Sequence, residues 1–355
     1  MPDYYEIDFH AVHTAKSGDA ITMRYGIGAN WWVGVVDGGY ESTAGDVAFQ
    51  IRNVYGTDRI NHVLVTHPDK DHAEGLAPIL EAFTVEQLWM LRPWAYAQQL
   101  LPHFARYSSA QNLVDRLKDE YPYIAKLEEI AMRRRIPILA PFQGQHVGAF
   151  TVLAPSLPRY LQLIIDSDKT PQQAADSPGI LSELMKLVKP VIAFIKEGWG
   201  AERFSDEETS VENEMSVVQY AMLCGDKIVL TGDAGRGALR EAADYAPSAG
   251  LILPGVTKFQ VPHHGARRNV STELLDRWLG PRLPALLPRG SEIFTAMISA
   301  AKEDPDHPRK AVLRAMFHRG AFVGNTADRP FFIYKNPQRP VTSLTNIEYP
   351  DEQEE

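Results

Sequence analysis

The chain has 355 residues, of which 45% are hydrophobic, enough to bury a sizeable core in one large α/β domain or two smaller ones. Its formal net charge of −9 excludes a protein that coats nucleic acid or an anionic membrane through overall charge, and its single cysteine, Cys224, excludes an internal disulfide framework and a Cys-rich zinc site. No run of ~18 apolar residues suggests a membrane span, and the first residues lack the basic and apolar regions of a signal peptide, so a cytoplasmic location with no membrane contact is expected.

The first quarter reads as strands. YEIDFHAV alternates, while AITMRYG and WWVGVVDGG are apolar runs ended by turn residues. HVLVTHPDKDH predicts a fourth strand running into a loop, GLAPILEAF a helix, and VEQLWMLRP another strand. Residues 95–139 have helical spacing in AYAQQLLPHFARY, AQNLVDRLKDEY and IAKLEEIAMRRR. GAFTVLAPS reads as a strand and turn, and ILSELMKLVKPVIAFI as helix again. The charged, aperiodic GWGAERFSDEETSVENE predicts a surface loop.

Strands then return. MSVVQYAMLCGDKIVLTGDAG reads as a hairpin turning near Gly225-Asp226, followed by a helix in RGALREAADYA. KFQVPHHGA predicts a strand ending in a loop, TELLDRWL a helix, PALLPRG and TAMISAAKED short strands, and HPRKAVLRAMFHRG a helix before FVGNTADRPFFIYK. The acidic tail 346–355 is expected to be disordered. Strands, a helical block, then strands and helices fit one layered α/β domain over 1–345, with a mostly helical insertion at about 95–200.

The densest chemistry lies at His67-Pro68-Asp69-Lys70-Asp71-His72. Four potential metal ligands in six positions follow the apolar Val63-Leu64-Val65. Imidazole with carboxylate suits Zn²⁺, and a carboxylate-rich set also admits Mn²⁺. Three more apolar strands end in ligand types beside glycine: VGVVDGG at Asp37, KIVLTGDAG at Asp233 and KFQVPHHG at His263 and His264. Such endings suit a rigid site on a sheet edge.

These residues carry a resemblance. His67-x-Asp69-x-Asp71-His72 resembles the signature loop of metallo-β-lactamase-fold hydrolases. It matches the variant with Asp in place of the usual second His, typical of the soluble domain of the ComEC competence proteins and their stand-alone relatives. Gly18-Asp19-Ala20 and Asp37-Gly38-Gly39 resemble that group's early strands, and Asn213-Glu214-Met215-Ser216 its Asn-x-x-Ser strand. Leu230-Thr231-Gly232-Asp233 resembles its bridging aspartate motif, and Val261-Pro262-His263-His264-Gly265 its His-His-Gly motif. Ile298-Ser299, His307-Pro308 and Thr326 resemble its C-terminal features.

The resemblance implies an αββα sandwich with two divalent metals, Zn or Mn, or a single one, at one edge. His67 and Asp69 would hold one ion, Asp71 and His72 the other, and Asp233 would bridge them. His264 is the favoured ligand of the double histidine. His263 would stand behind it or touch substrate, and the two are interchangeable on sequence alone. Asp37 would orient the ligand loop. Many members supply a further His before the bridging aspartate. Only His103, in a helical pattern, and His146, before a strand, are available here, which leaves the first subsite a ligand short.

Two ions about 3.5–4 Å apart would generate hydroxide near neutral pH. Asp71 or Asp233 would accept the water's proton, and His307 would protonate a leaving group or bind phosphate. The resemblance favours a phosphodiesterase or nuclease, with Arg236, Arg267 and Arg268 as phosphate contacts and nucleic acid as one candidate substrate. A carbonyl hydrolase, a lactonase or thioesterase, is the alternative. It would need an apolar pocket from Trp89, Trp94, Tyr96, Phe104 and Trp199. A non-catalytic scaffold, binding a protein partner through the 95–200 insertion, is the third reading.

Overall fold

The computed structural model describes residues 2–105, 107–169, 193–327, 329–341 and 344–355. Two seven-stranded mixed sheets face each other. The first runs in the order Phe331–Lys335, Tyr4–Phe9, Ala20–Ile27, Asn30–Gly38, His62–Leu64, Leu88–Trp89, Ile138–Leu139. Its first four strands are antiparallel and the rest parallel. The second runs Ala321–Asn325, Phe294–Ile298, Lys258–Gln260, Asp226–Leu230, Val218–Leu223, Phe150–Ala154, His146–Val147. Here the first four strands are parallel and the others antiparallel.

One apolar core joins the sheets: Tyr5, Ile7 and Val35 from the first meet Val152, Ala221 and Leu230 from the second. Helices Leu76–Ala82 and Pro122–Arg134 add Leu80, Leu127 and Ile130 to this core. A second apolar cluster covers the other sheet with helices Arg236–Tyr245, Thr272–Leu279 and Lys310–His318. The fold is therefore an αββα sandwich. Thr272–Leu279 shows why such a helix forms and stops. Ser271 accepts from Leu274 N at 3.3 Å, Leu274, Leu275, Trp278 and Leu279 share the buried face, and Gly280 at φ 101° ends it. Full burial of such side chains contributes roughly 1.5–3 kcal/mol each.

Most expected elements stand where the patterns place them, and three readings change. Residues 284–290 form no strand; Pro284 and Pro288 have no N–H to give a ladder. Within 95–200, the helices Ala97–Leu100, Ala110–Glu120 and Pro122–Arg134 are followed by Ile138–Leu139, His146–Val147 and Phe150–Ala154, which join the two main sheets. The helix expected in ILSELMKLVKPVIAFI lies almost wholly outside the described residues. The acidic tail is ordered rather than disordered: Glu352–Glu354 pairs antiparallel with Phe194–Lys196. The Glu354 carboxylate accepts from Lys310 N at 2.9 Å and Ala311 N at 3.0 Å. An anion at the positive end of a helix is stabilised there, which high charge in a sequence does not reveal. Among the described residues, no helix is long and apolar enough to cross a membrane.

This topology gathers several loops at one edge. Asp37 ends Asn30–Gly38, the His67–His72 loop follows His62–Leu64, Asp233 follows Asp226–Leu230, and the double histidine follows Lys258–Gln260. All lie at the carboxyl ends of parallel-paired strands, where α/β sheets open their crevices.

Candidate metal centre

Asp233 sits at the middle of the edge, 2% exposed. Its Oδ1 lies 3.3 Å from His72 Nε2 and 3.7 Å from His264 Nε2. Its Oδ2 lies 3.8 Å from His67 Nε2 and 3.6 Å from His263 Nε2. Asp71 Oδ2 is 3.9 Å from His72 Nε2 and 3.5 Å from His264 Nε2, and Asp69 Oδ2 is 3.8 Å from His67 Nε2. Ligand atoms of Asp71, His72, Asp233 and His264 all fall within 4.8 Å of one another. The two oxygens of one carboxylate thus face two sets of donors.

Asp37 sets the protonation pattern. Its Oδ1 accepts from Thr66 N at 2.8 Å, and its Oδ2 accepts from the Thr66 hydroxyl at 2.6 Å and from His72 Nδ1 at 2.8 Å. His72 therefore carries its proton on Nδ1 and presents a lone pair at Nε2. The Thr66 hydroxyl has given its hydrogen to Asp37, so its oxygen accepts from His67 Nδ1 at 3.1 Å, and His67 Nε2 is likewise a lone pair. Among the described residues, the Nε2 atoms of His67, His72 and His264 and Oδ1 of Asp233 are buried without a hydrogen-bond partner. Leaving several acceptors buried and unpaired is costly, and a shared cation satisfies all of them. The donor set, imidazoles with carboxylates, fits a divalent metal such as Zn or Mn.

The field agrees. Burial opposes a charge on His264, but Asp233, Asp71 and Asp19 outweigh it and raise the ring to about 9. Burial likewise opposes ionisation of Asp233, yet His72, His264 and His263 hold it well below the usual carboxylate range. Burial and the neighbouring His72 lower His67. Metal ligation competes with these protons and is favoured as pH rises.

The backbone is bent to make this geometry. Asp37, His263 and His264 have φ of 56°, 48° and 55°, three of the six non-glycine residues with positive φ among those described. Left-handed backbone costs a non-glycine residue roughly 1–2 kcal/mol, and it collects at this edge. Gly232, at φ 50°, leaves no room for more: a Cβ there would lie 2.9 Å from Thr66 Cβ.

The structure brings His67, Asp69, Asp71, His72, Asp233, His263 and His264 together, with Asp37 behind them. His307 stands beside them, its ring centre 5.4 Å from that of His263, and its Nδ1 bonds Asp304 Oδ2 at 3.1 Å. The arginines are tied elsewhere. Arg236 donates to the carbonyls of Ser205, Asp206 and Glu207 at 2.9–3.1 Å, which clamps the 205–208 loop. Arg267 reaches the carbonyls of Arg203 and Glu355, and Arg268 pairs with Glu207. The cation seen at the centre is instead Lys169, 3.2 Å from Asp69 Oδ1. His103 and His146 are exposed and belong to neither cluster of ligand groups.

Asp19, part of the Gly18-Asp19-Ala20 resemblance but given no role by it, also stands at the site. It is 1% exposed, accepts from Gln260 Nε2 at 3.0 Å and stands 3.9 Å from His72 Nδ1. Burial raises its carboxyl, opposed by His264 and His72. Asp19, Asp37 and His72 also form a compact group. His72 Nδ1 is the donor there, so this group orients the ring. The signal available was Gly18-Asp19, a carboxylate opening an apolar strand.

No protein-family model and no curated protein sequence matches the chain. Similar solved structures include the metallo-β-lactamase fold protein YhfI from Bacillus subtilis, at TM-score 0.41 and 10% identity over 94% of this chain and 100% of that one. A metallo-β-lactamase from Hirschia baltica follows at TM-score 0.21 and 13% identity, over 42% of this chain and 55% of that one. Likenesses this loose carry no argument of their own; the layers and distances above do.

Proposed function

We propose that this chain is a metal-dependent hydrolase of the metallo-β-lactamase type that cleaves phosphodiesters. The observation that carries the reading is Asp233, whose Oδ1 faces the buried, unpaired Nε2 atoms of His72 and His264 and whose Oδ2 faces that of His67. Asp71, His72 and His264 with Oδ1 would hold one divalent ion, and His67 and Asp69 with Oδ2 a second. Bound there, the ions supply Lewis acidity and a water acidified towards neutral pH.

The chain's own groups do the rest. Asp37 and Thr66 keep the rings of His67 and His72 turned inward. Burial opposes ionisation of Asp71, but His72 and His264 outweigh it and hold the carboxyl at about 2, so it stays ionised at neutral pH and offers its oxygens to a cation or a hydrogen-bond donor. Asp304 holds His307 through Nδ1 and leaves Nε2 to meet a phosphate or leaving oxygen. The aromatics that a carbonyl hydrolase would need are spent elsewhere. Trp89, Trp94 and Phe104 are core residues, and Trp199 packs on His318 and Tyr349. His307 beside the carboxylates and imidazoles suits a phosphodiester better than an acyl chain. Turnover of bis(4-nitrophenyl) phosphate by the zinc- or manganese-loaded protein, set against a lactone and a thioester, tests the class. Hydrolysis of the carbonyl substrates alone would overturn it.

A further inference from the structure

We infer that His263 completes the subsite of His67 and Asp69, with Asn269 as its positioning residue, so that the two adjacent histidines serve the two oxygens of Asp233 separately. The inference rests on the two-subsite reading above and names the ligand that the sequence leaves missing.

Asn269 is fully buried. Its Nδ2 donates to the carbonyls of Asp233 at 2.8 Å and Ala234 at 3.2 Å. Two carbonyls on that side fix which end of the amide is nitrogen. The oxygen, Oδ1, must then be the atom 2.9 Å from His263 Nδ1. An amide oxygen only accepts, so Nδ1 carries the ring proton and Nε2 presents a lone pair. That lone pair lies 3.6 Å from Asp233 Oδ2, on the side that His67 Nε2 also faces at 3.8 Å. Acceptors that close repel one another unless they share a cation.

Asn213 also reaches Nδ1: the structure places its Nδ2 3.1 Å from Nδ1 and 2.8 Å from the Thr209 hydroxyl, a second donor facing a ring nitrogen that the twice-anchored Asn269 makes a donor, so the Asn213 amide must turn over for both to bond. With Nδ1 protonated, the orientation that turns its oxygen to both groups is the bonded one. The left-handed turn explains how neighbours in sequence reach different oxygens. With φ of 48° and 55°, the two rings stand 5.7 Å apart at 71°, and neither is thrown to the opposite side as it would be in a strand. Asn269 bonds both His263 and the carbonyl of Asp233, so one buried amide ties the end ligand to the bridging one.

The test is Mn²⁺ binding by elemental analysis and titration, with electron paramagnetic resonance to read coupling between paired ions. The proteins are wild type, His263→Ala, Asn269→Ala and Asn269→Asp. Wild type is expected to bind two coupled ions, and His263→Ala one uncoupled ion. Asn269→Ala should weaken the second ion about 10–100-fold and the first far less, since the first loses only the support of the Asp233 backbone. Asn269→Asp keeps an acceptor for Nδ1 and should recover most of the lost affinity, which a merely structural defect would not show. Should His263→Ala fail to fold, His263→Asn carries the same prediction. Two coupled ions of unchanged affinity in the His263 variant overturn the inference and leave the hydrolase reading standing. Wild-type protein that binds one ion overturns the inference as well, and wild-type protein that binds none overturns both.

Discussion

Two regions bury histidine beside carboxylate, and they are built to opposite ends. Behind the second sheet, Glu202, His318, Arg319 and Asp276 form a closed network. Glu202 accepts from His318 Nδ1 at 3.0 Å, from Arg319 at 2.6 Å and from Thr272 at 2.7 Å. His318 Nε2 meets Gly200 N and the Tyr349 hydroxyl at 3.1 Å. Arg319 also bonds Asp276 at 2.6 Å. Every polar atom of His318 and Glu202 has a protein partner. At the metal edge, four imidazole nitrogens, two of them on His264, and one oxygen each of Asp233 and Asp19 have none. Burial and residue type are the same in both places. The unpaired atoms, aimed at one another, are what distinguish a binding centre from a structural clasp.

The largest expected effect separates the two directly. Asp233→Ala removes the oxygens that both subsites share. Metal content should fall to background and phosphodiester turnover by more than about 100-fold, beyond what loss of an outer partner costs. The readout is metal bound per folded chain, because taking a carboxylate from among His72, His264 and His263 also lowers the stability of the metal-free protein. Glu202→Ala should lower stability alone. It leaves Arg319 and His318 buried beside no carboxylate but Asp276, at a cost of about 3–5 kcal/mol. Denaturant unfolding would show it, with bound metal per folded chain unaltered. If Glu202→Ala emptied the metal centre of a still-folded chain, the two regions would be one unit and the comparison would fail.

Asp37→Ala comes next. It removes the acceptor for His72 Nδ1 and for both bonds from Thr66, freeing two rings at once. Metal affinity should drop about 10–100-fold. A titration with Zn²⁺ that showed no change would mean that the rings are held by packing alone.

How far the sequence reveals these regions follows from distance along the chain. The loop at His67–His72 was legible because four ligand types crowd into six positions after an apolar strand. Asp37, Asp233 and the double histidine were legible because each ends such a strand beside glycine. A layered α/β domain followed from the same strands and the helices between them, and the αββα arrangement from the resemblance those motifs carry. Asn269 was not legible: its partners are the carbonyls of Asp233 and Ala234, 36 and 35 residues away, and an asparagine after two arginines reads as a loop residue. Arg236 misled for a related reason. It follows the bridging aspartate in sequence, but its guanidinium turns to the 205–208 loop, whose free carbonyls only the folded chain brings within reach. The tail carried the opposite error, because its charge looked solvated until a helix end 44 residues away supplied the donors.

The smallest effect is one of pH, and it tests whether the closed network is held by charge. Burial opposes ionisation of Glu202, but its bonds to His318 and Arg319 outweigh that and lower the carboxyl from 4.5 to about 2. A carboxyl depressed by folding contributes stability above its unfolded value and loses it as pH falls towards the folded one. The clasp should therefore give its full contribution above about pH 5 and weaken progressively from about 4.5 to 2. In metal-free protein Asp71 and Asp233 titrate over the same window, so the difference between wild type and Glu202→Gln carries the test. The wild-type denaturant midpoint should fall over that window, and that of Glu202→Gln, which cannot ionise, should start lower and fall less steeply. Parallel curves for the two proteins would place the acid sensitivity elsewhere and leave hydrogen bonding, not charge, as what holds the network.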